Sequence, residues 1–131
     1  MTVFLLEESV GVWFDLEGGG RVQLRTMTAD ALKAIRKQTV KRRVEYKRID
    51  GKAERFDVEE VNEDLQNALF WDHVIAGWEN ILNGKAEEIP CTRENKMLLM
   101  TRSAAFARFV GESLATLNAD EGTRAEADEK N

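Results

Sequence analysis

The sequence predicts an α+β fold in which two β-hairpins and a short helix precede two larger C-terminal helices with a predominantly helical core. Glycine-containing turns at residues 18–20 and 50–51 each lie between runs of β-type residues. In the second half, apolar residues recur at helical three- and four-residue spacings. At 131 residues the chain has the size of one domain, which buries about two-thirds of its unfolded surface.

The N-terminal elements are predicted from turn and cap residues. The runs VGVWFDLE and RVQLRT flank Gly18–Gly20 and indicate the first hairpin. Thr28 is placed to cap a short helix that begins TADALKAIRK. Asp50 and Gly51 predict the second hairpin, because Asp-Gly suits the type I′ turn between twisted strands. A helix that continues to Arg48 is the alternative for the same residues.

The C-terminal helices are predicted from capping patterns. Asp57–Glu60 has the form of a capping box, and the helix that it opens carries a wide apolar stripe and stops at Gly77. Residues 78–90 are predicted to form an irregular connection. Thr92 then caps one long helix that extends from about Arg93 to Leu117.

The predicted domain boundary follows the last apolar residue of that helix. Residues 1–117 form a single globular domain, and residues 118–131 contain no large apolar side chain. This acidic tail is expected to be disordered, because it cannot bury enough apolar surface to offset the entropy of ordering. The single cysteine and the absence of a signal-peptide or membrane-span pattern predict a protein that stays in the cell that makes it.

The charge of the chain is divided unevenly. Between Lys33 and Arg55 lie ten basic and three acidic residues, so this segment carries +7 while the whole chain carries −5. The remainder is therefore at −12. Such a division indicates either a polyanionic partner or a contact in which the basic face of one copy meets the acidic face of the next.

Catalytic and metal-binding patterns are weak. His73 and Cys91 are the only histidine and cysteine, and no local signature supports a nucleophilic pair. We therefore predict that the protein is not an enzyme and that it needs no cofactor. Four acids at helical spacing are better explained by the helix dipole than by a metal site, since no metal-ligand pattern accompanies them. These acids are Asp57, Glu60, Glu63 and Asp64.

The basic run KRRVEYKR, residues 41–48, is the main candidate for binding. As a strand it offers only two good apolar positions, so the hairpin should project from the core and dock to an acidic partner protein. Nucleic acid is the alternative partner, because cations beside a tyrosine suit phosphates and bases. Phe106, Phe109 and Val110 could add an apolar association surface. The candidate residues in the basic run are Arg42, Arg43, Lys47 and Arg48.

Several short motifs resemble those of tail assembly chaperones of long-tailed, siphovirus-type bacteriophages and prophages. Residues 78–81 resemble a W-x-x-I/V stretch of that family, and residues 89–96 resemble its I-P-C/F-T-x-E-N-K run. Residues 106–110 resemble its F-x-x-F-V/I helix. The opening WFDLEGGGRVQLRTMTADAL is similar to its strand–turn–strand–helix start, so the resemblance covers residues 10–117.

The resemblance implies a function in tail morphogenesis. Such chaperones coat the tape measure protein, keep its helices soluble, recruit the major tail protein and leave as tail subunits polymerise. The resemblance also implies a homo-oligomer in the cytoplasm of the bacterial host that is absent from the mature virion. Binding to membranes is not expected, and binding to nucleic acid is the less favoured alternative.

Overall fold

The computed structural model has an α+β fold, and it describes the backbone of residues 10–130 and the side chains of residues 10–120. The first nine residues and Asn131 lie outside the described part. Five strands and four helices occur in this part of the chain. In chain order they are β1 (Val12–Asp15), β2 (Arg21–Leu24), α1 (Ala29–Thr39), β3 (Val40–Ile49), β4 (Lys52–Val61), α2 (Glu63–Val74), β5 (Ile75–Glu79), α3 (Arg93–Arg102) and α4 (Ala104–Lys130).

A three-stranded antiparallel sheet with the order β1-β2-β5 forms the centre of the body. The first predicted hairpin, β1–β2, is confirmed, and its turn is closed by a hydrogen bond from the Leu16 N–H to the Gly20 carbonyl at 2.7 Å. β5 was not predicted. Gly77 lies within this strand opposite Gln23, whereas helix α2 already ends at Val74. The prediction that Gly77 ends the helix is therefore wrong.

The core forms where β2 and β5 meet helix α4. Val22 lies opposite Trp78, Leu24 lies opposite Ile75, and all four side chains are buried. The Trp78 indole packs edge-on against the Phe106 ring in α4, with ring centroids 6.0 Å apart. Its Nε1 donates a hydrogen bond of 2.7 Å to the carbonyl of Ile89. The buried core cluster consists of Val22, Leu24, Val74, Ile75, Trp78, Phe106, Val110 and Leu117.

The C-terminal helical region is divided at Ser103, so the predicted single helix is wrong. Ser103 has extended backbone angles and ends α3, while its Oγ accepts a hydrogen bond from the Phe106 N–H at 3.1 Å at the start of α4. The predicted cap at Thr92 is confirmed, since its Oγ1 accepts from the Asn95 N–H at 3.2 Å. The two helices on either side of this break, α3 and α4, are in contact with each other.

Helix α4 continues well beyond the boundary that the sequence predicts. Its backbone is helical as far as Lys130, whereas we expected no secondary structure after Asn118. Alanine and glutamate, which favour helices, occur three times each in residues 119–130 and explain how a helix can continue without large apolar side chains. The division into a domain at 1–117 and a tail at 118–131 stays a prediction.

The second predicted hairpin is also confirmed, and it is long. Strands β3 and β4 pair over all ten residues of each, and Asp50 and Gly51 have the positive φ angles, +52° and +79°, of a type I′ turn. The alternative of a helix to Arg48 is therefore wrong. The predicted capping box at 57–60 is wrong as well, because these residues pair with β3, and Asn62 caps α2 by accepting from the Leu65 N–H at 3.2 Å.

Helices α2 and α3 are joined by a partly buried ion pair. The Lys96 side chain is 9% exposed, and its Nζ lies 3.0 Å from both the Oδ1 and the backbone oxygen of Asp72. Arg93 Nε approaches Asp72 Oδ2 at 3.2 Å. Partial burial acts to raise the pKa of the Asp72 carboxyl, but the hydrogen bonds and charges of Lys96 and Arg93 outweigh it and lower the pKa.

We expect Asp72→Asn to lower the free energy of unfolding by about 1–3 kcal/mol at pH 7, because it leaves the buried Lys96 charge without its carboxylate. A lowered carboxylate pKa contributes stability that is present above its unfolded value, about 3.9, and that is lost as the pH falls through the folded value. Measured by urea unfolding, the free energy of unfolding should therefore fall less between pH 7 and pH 3 in the variant than in the native protein.

The matched control is the double variant Asp72→Asn/Lys96→Met, which removes the buried charge together with its partner. It should be more stable than Asp72→Asn alone, because an unpaired buried charge costs more than an apolar replacement of the pair. A double variant less stable than the single one would contradict this account of the ion pair.

Candidate protein-binding ribbon

The β3–β4 hairpin, residues 40–61, is an exposed two-stranded ribbon. At about 3.3 Å per residue, its ten-residue strands extend for about 33 Å. No third strand joins it among the described residues. At its base, the Asn62 N–H donates to the Thr39 carbonyl at 2.8 Å and closes the ribbon onto α1 and α2. A two-stranded hairpin is at best marginally stable alone in water, so a partner that covered this ribbon would stabilise it.

The strand register assigns every side chain of the ribbon to one of two faces, each named here after its aromatic residue. Most side chains on both faces are exposed, including those of Tyr46 and Phe56. The tyrosine face carries Val40, Arg42, Val44, Tyr46, Arg48, Ala53, Arg55, Asp57, Glu59 and Val61. The phenylalanine face carries Lys41, Arg43, Glu45, Lys47, Ile49, Lys52, Glu54, Phe56, Val58 and Glu60.

Much of the basic charge predicted for this segment is balanced within the ribbon. Residues 40–61 contain seven basic and six acidic side chains, because β4 brings Asp57, Glu59 and Glu60 opposite β3. The guanidinium of Arg42 lies 3.6 Å from Glu59, and that of Arg43 lies 3.1 Å from Glu60. The charge of +7 was counted for residues 33–55 and therefore leaves out the three acids at the end of β4, which the fold places beside β3.

The four basic candidates do not form one cluster. Arg42 and Arg48 lie on the tyrosine face, whereas Arg43 and Lys47 lie on the phenylalanine face. Lys47 Nζ lies 5.9 Å from the centroid of the Phe56 ring, a cation–π arrangement. Arg48 forms no ion pair with any residue in the described part of the chain.

The tip half of the tyrosine face combines aromatic surface with two cations, Arg48 and Arg55, of which Arg55 lies 3.5 Å from the Asp57 carboxylate. The Tyr46 side chain is 70% exposed, and Arg55 lies directly opposite it in the register. Arg48 follows two residues further toward the turn on the same face, and Val44 lies two residues back and is also exposed. This arrangement suits a partner segment that presents apolar and acidic side chains together.

The apolar candidates on the final helix are placed differently from the prediction. Phe106 and Val110 are buried in the core beneath β2 and β5, and Phe109 is partly buried against the same cluster. They are therefore core residues and form no exposed association surface. Their three- and four-residue spacing fits a core stripe as well as a surface stripe, and only the tertiary packing distinguishes the two.

The two reactive side chains occupy unrelated structural roles. Cys91 is exposed beside a cleft of about 530 Å³ that Trp78 and Pro90 also line, and partial burial raises the pKa of its thiol above the usual value. A raised pKa leaves less of the nucleophilic thiolate at neutral pH. Arg25 donates from Nε to the His73 carbonyl at 2.6 Å, and its Nη2 lies 3.4 Å from His73 Nδ1. His73 thus helps to fix Arg25 beside α2.

The four acids considered as metal ligands are divided between two elements. Asp57 and Glu60 lie on opposite faces of β4, while Glu63 and Asp64 lie in the first turn of α2. Across the described residues, no group of three histidine, cysteine or acidic side chains is arranged to hold a metal ion. Nor does any helix among them have the length and apolar character needed to cross a membrane.

The chain matches the YdaY prophage protein family over residues 21–131, from β2 through the ribbon to the C-terminal residue, and belongs to that family. No curated protein and no solved structure matches the chain. The family establishes a prophage protein, and the ribbon lies within the matched region.

Gly51→Ala tests whether the ribbon is a separately stabilised unit. Alanine in a left-handed backbone conformation costs about 1–2 kcal/mol. A steric clash does not contribute at Gly51, because no atom lies within 4 Å of an added Cβ. We expect amide hydrogen exchange in β3 and β4 to accelerate about tenfold, which corresponds to about 1.4 kcal/mol. The melting transition followed by tryptophan fluorescence should hardly change, because all three tryptophans lie outside the ribbon.

Gly84→Ala is the matched control, since an added Cβ meets nothing there either and the φ angle is not positive. It should leave exchange in β3 and β4 unchanged. Two results would show that the ribbon is not an independent unit. One is equally faster amide hydrogen exchange in both variants, and the other is a large fall, for Gly51→Ala alone, in the melting temperature measured by tryptophan fluorescence.

Proposed function

We propose that this prophage protein is a tail assembly chaperone that binds the tape measure protein and recruits the major tail protein during tail morphogenesis. The observation that carries the proposal is the β3–β4 ribbon, which exposes aromatic and apolar side chains on both faces. Further support comes from the motif resemblance over residues 10–117 and from membership of a prophage family. Such a chaperone works in the cytoplasm of the bacterial host and leaves before the virion is complete.

The chemistry of the tyrosine face suits a client with mixed character. Tyr46 and Val44 offer apolar contact, while Arg48 offers charge-assisted hydrogen bonds to carboxylates. A tape measure helix with apolar residues flanked by acids would find both groups within a few ångströms. Because the contact leaves the packed body unchanged, the ribbon can bind and release such a segment without unfolding.

Binding without catalysis is part of the proposal. The exposed Cys91 thiol has a raised pKa, which is the opposite of the shift that activates a nucleophile. We expect Cys91→Ser to leave tail formation unchanged in a complementation assay with the prophage that lacks this gene. A loss of tails by the folded variant, with the melting temperature preserved, would instead support a catalytic or redox role for the thiol.

The docking face can be tested with Tyr46→Ser/Arg48→Glu. Removing an exposed aromatic anchor and reversing the adjacent charge should weaken binding at least about tenfold, as expected for a hot-spot pair. The measurement is the soluble yield of tape measure protein and its recovery with the tagged chaperone after co-expression. Lys33→Glu, an equal charge change on the exposed surface of α1, is the control and should behave as the native protein.

The same variants decide between protein and nucleic acid. Native protein should fail to shift DNA at about 0.15 M salt, because β4 supplies acids against most of the β3 cations. Tight DNA binding at that salt, abolished by Tyr46→Ser/Arg48→Glu, would favour a nucleic-acid-binding phage protein. Failure of native protein to raise tape measure solubility would contradict the chaperone proposal whatever the DNA result.

A further inference from the structure

Among residues 10–130, the outer edge of β4 is unpaired and offers backbone groups to which another strand can bind. β4 pairs with β3 on one side, and no described residue pairs with it on the other. Hydrogen-bonding groups alternate between the two sides of an antiparallel strand. Ile49 and Lys52 close the two-residue turn as a hydrogen-bonded pair, so the odd-numbered residues of β4 direct their N–H and C=O groups to the free edge. Exposed edges of this kind recruit strands.

Symmetry restricts how a second copy can use this edge. A two-fold axis perpendicular to the sheet makes the added strand antiparallel and places one residue opposite its own counterpart. Strand β4 extends from Lys52 to Val61, so the centres that keep most of its length paired are Phe56 and Asp57. These two registers differ sharply in the side chains that they bring together.

We propose that β4 pairs with β4 of a second copy in the register centred on Phe56, which produces a four-stranded sheet with the order β3-β4-β4-β3. In this register Arg55 lies opposite Asp57 of the second copy, and Lys52 lies opposite its Glu60. Two-fold symmetry repeats both contacts, which gives four pairs of opposite charge. Phe56 meets Phe56 at the non-hydrogen-bonded centre, where opposed side chains come closest.

The alternatives are disfavoured by charge. Centring the pair on Asp57 places the two Asp57 carboxylates opposite each other and opposes Glu54 to Glu60 twice, so these three repulsive contacts outnumber the two attractive ones between Arg55 and Glu59. Pairing two copies through the outer edge of β3 is less favourable still, because that strand carries five cations and one acid. Centred on Glu45, for example, β3 would oppose Arg43 to Lys47 twice. Like charges that lie directly opposite destabilise a strand pair, so β4 attracts a second copy where β3 repels it.

This contact uses the edge of the ribbon and Arg55, and it leaves Val44, Tyr46 and Arg48 on the tyrosine face open. The Arg55 side chain meets the second copy on the tyrosine face at the junction, while Tyr46 and Arg48 belong to β3, one strand away from it. The dimer therefore presents two such docking surfaces on one continuous sheet. It does not rest on the proposed chaperone function, because it requires the purified chain alone.

A charge-swap experiment tests the register directly. Arg55→Asp opposes two acids at each junction, and Asp57→Arg opposes two cations, so each variant alone should dimerise at least tenfold more weakly than native protein. An equimolar mixture restores Asp opposite Arg at both positions and should regain native affinity within about threefold. The measurement is sedimentation velocity over a concentration series at low salt, with circular dichroism to establish that each variant is folded.

Cross-linking supplies a second readout of the same register. In a Cys91→Ser background, Phe56→Cys places two thiols at the symmetric centre, where Cα atoms lie about 4.5 Å apart, within disulfide range. Val58→Cys is the control, because residue 58 faces residue 54 of the second copy in this register. We expect rapid disulfide dimer formation for the first variant alone.

Three results would overturn the proposal. One is a native protein that stays monomeric throughout the concentration series. Another is a mixture of the two charge variants that remains monomeric while native protein dimerises. The third is equal cross-linking of the Phe56→Cys and Val58→Cys variants. Either of the last two would place self-association on another surface, and none of the three bears on whether the tape measure protein is bound.

Discussion

The pairing of β2 with β5 is the constraint on which the body of this protein depends. It brings the N-terminal hairpin against a strand about fifty residues later in the chain and buries Val22, Leu24, Ile75 and Trp78 along one face. Helix α4 packs onto this face, α3 contacts α4, and α2 contacts both α3 and α1. Burial of apolar area at this junction is the main source of stability, since each fully buried large side chain contributes about 1.5–3 kcal/mol.

The ribbon is organised by a different kind of interaction. It has almost no apolar interior, and its strands are held by the backbone ladder, a type I′ turn and cross-strand pairs such as Arg42 with Glu59. Exposed ion pairs of this kind contribute little individually, about 0–1 kcal/mol each. The ribbon is therefore a weakly stabilised extension of a firmly packed body, and partner binding is the natural way for such an element to gain order.

We propose two means of association for the ribbon, one on a face and one along an edge. The tyrosine face would offer Tyr46 and Arg48 to a client, while β4 carries its cations before Phe56 and most of its acids after it, an arrangement that complements an antiparallel second copy. Separate surfaces allow client binding and self-association to coexist, as a chaperone that coats a long client requires. The prophage family fixes the biological setting, and the two surfaces supply the physical basis for the proposed function within it.

The sequence by itself determined the local features: the glycine turns, the Asp50-Gly51 hairpin, and the caps at Thr28 and Thr92. These depend on residues adjacent in the chain, so patterns of a few residues reveal them. The tertiary structure alone decided that residues 57–60 form a strand, that β5 follows α2, and that the spacing of Phe106 and Val110 marks a core stripe. In each case the sequence was compatible with more than one conformation or environment, and pairing or burial against distant residues selected one of them.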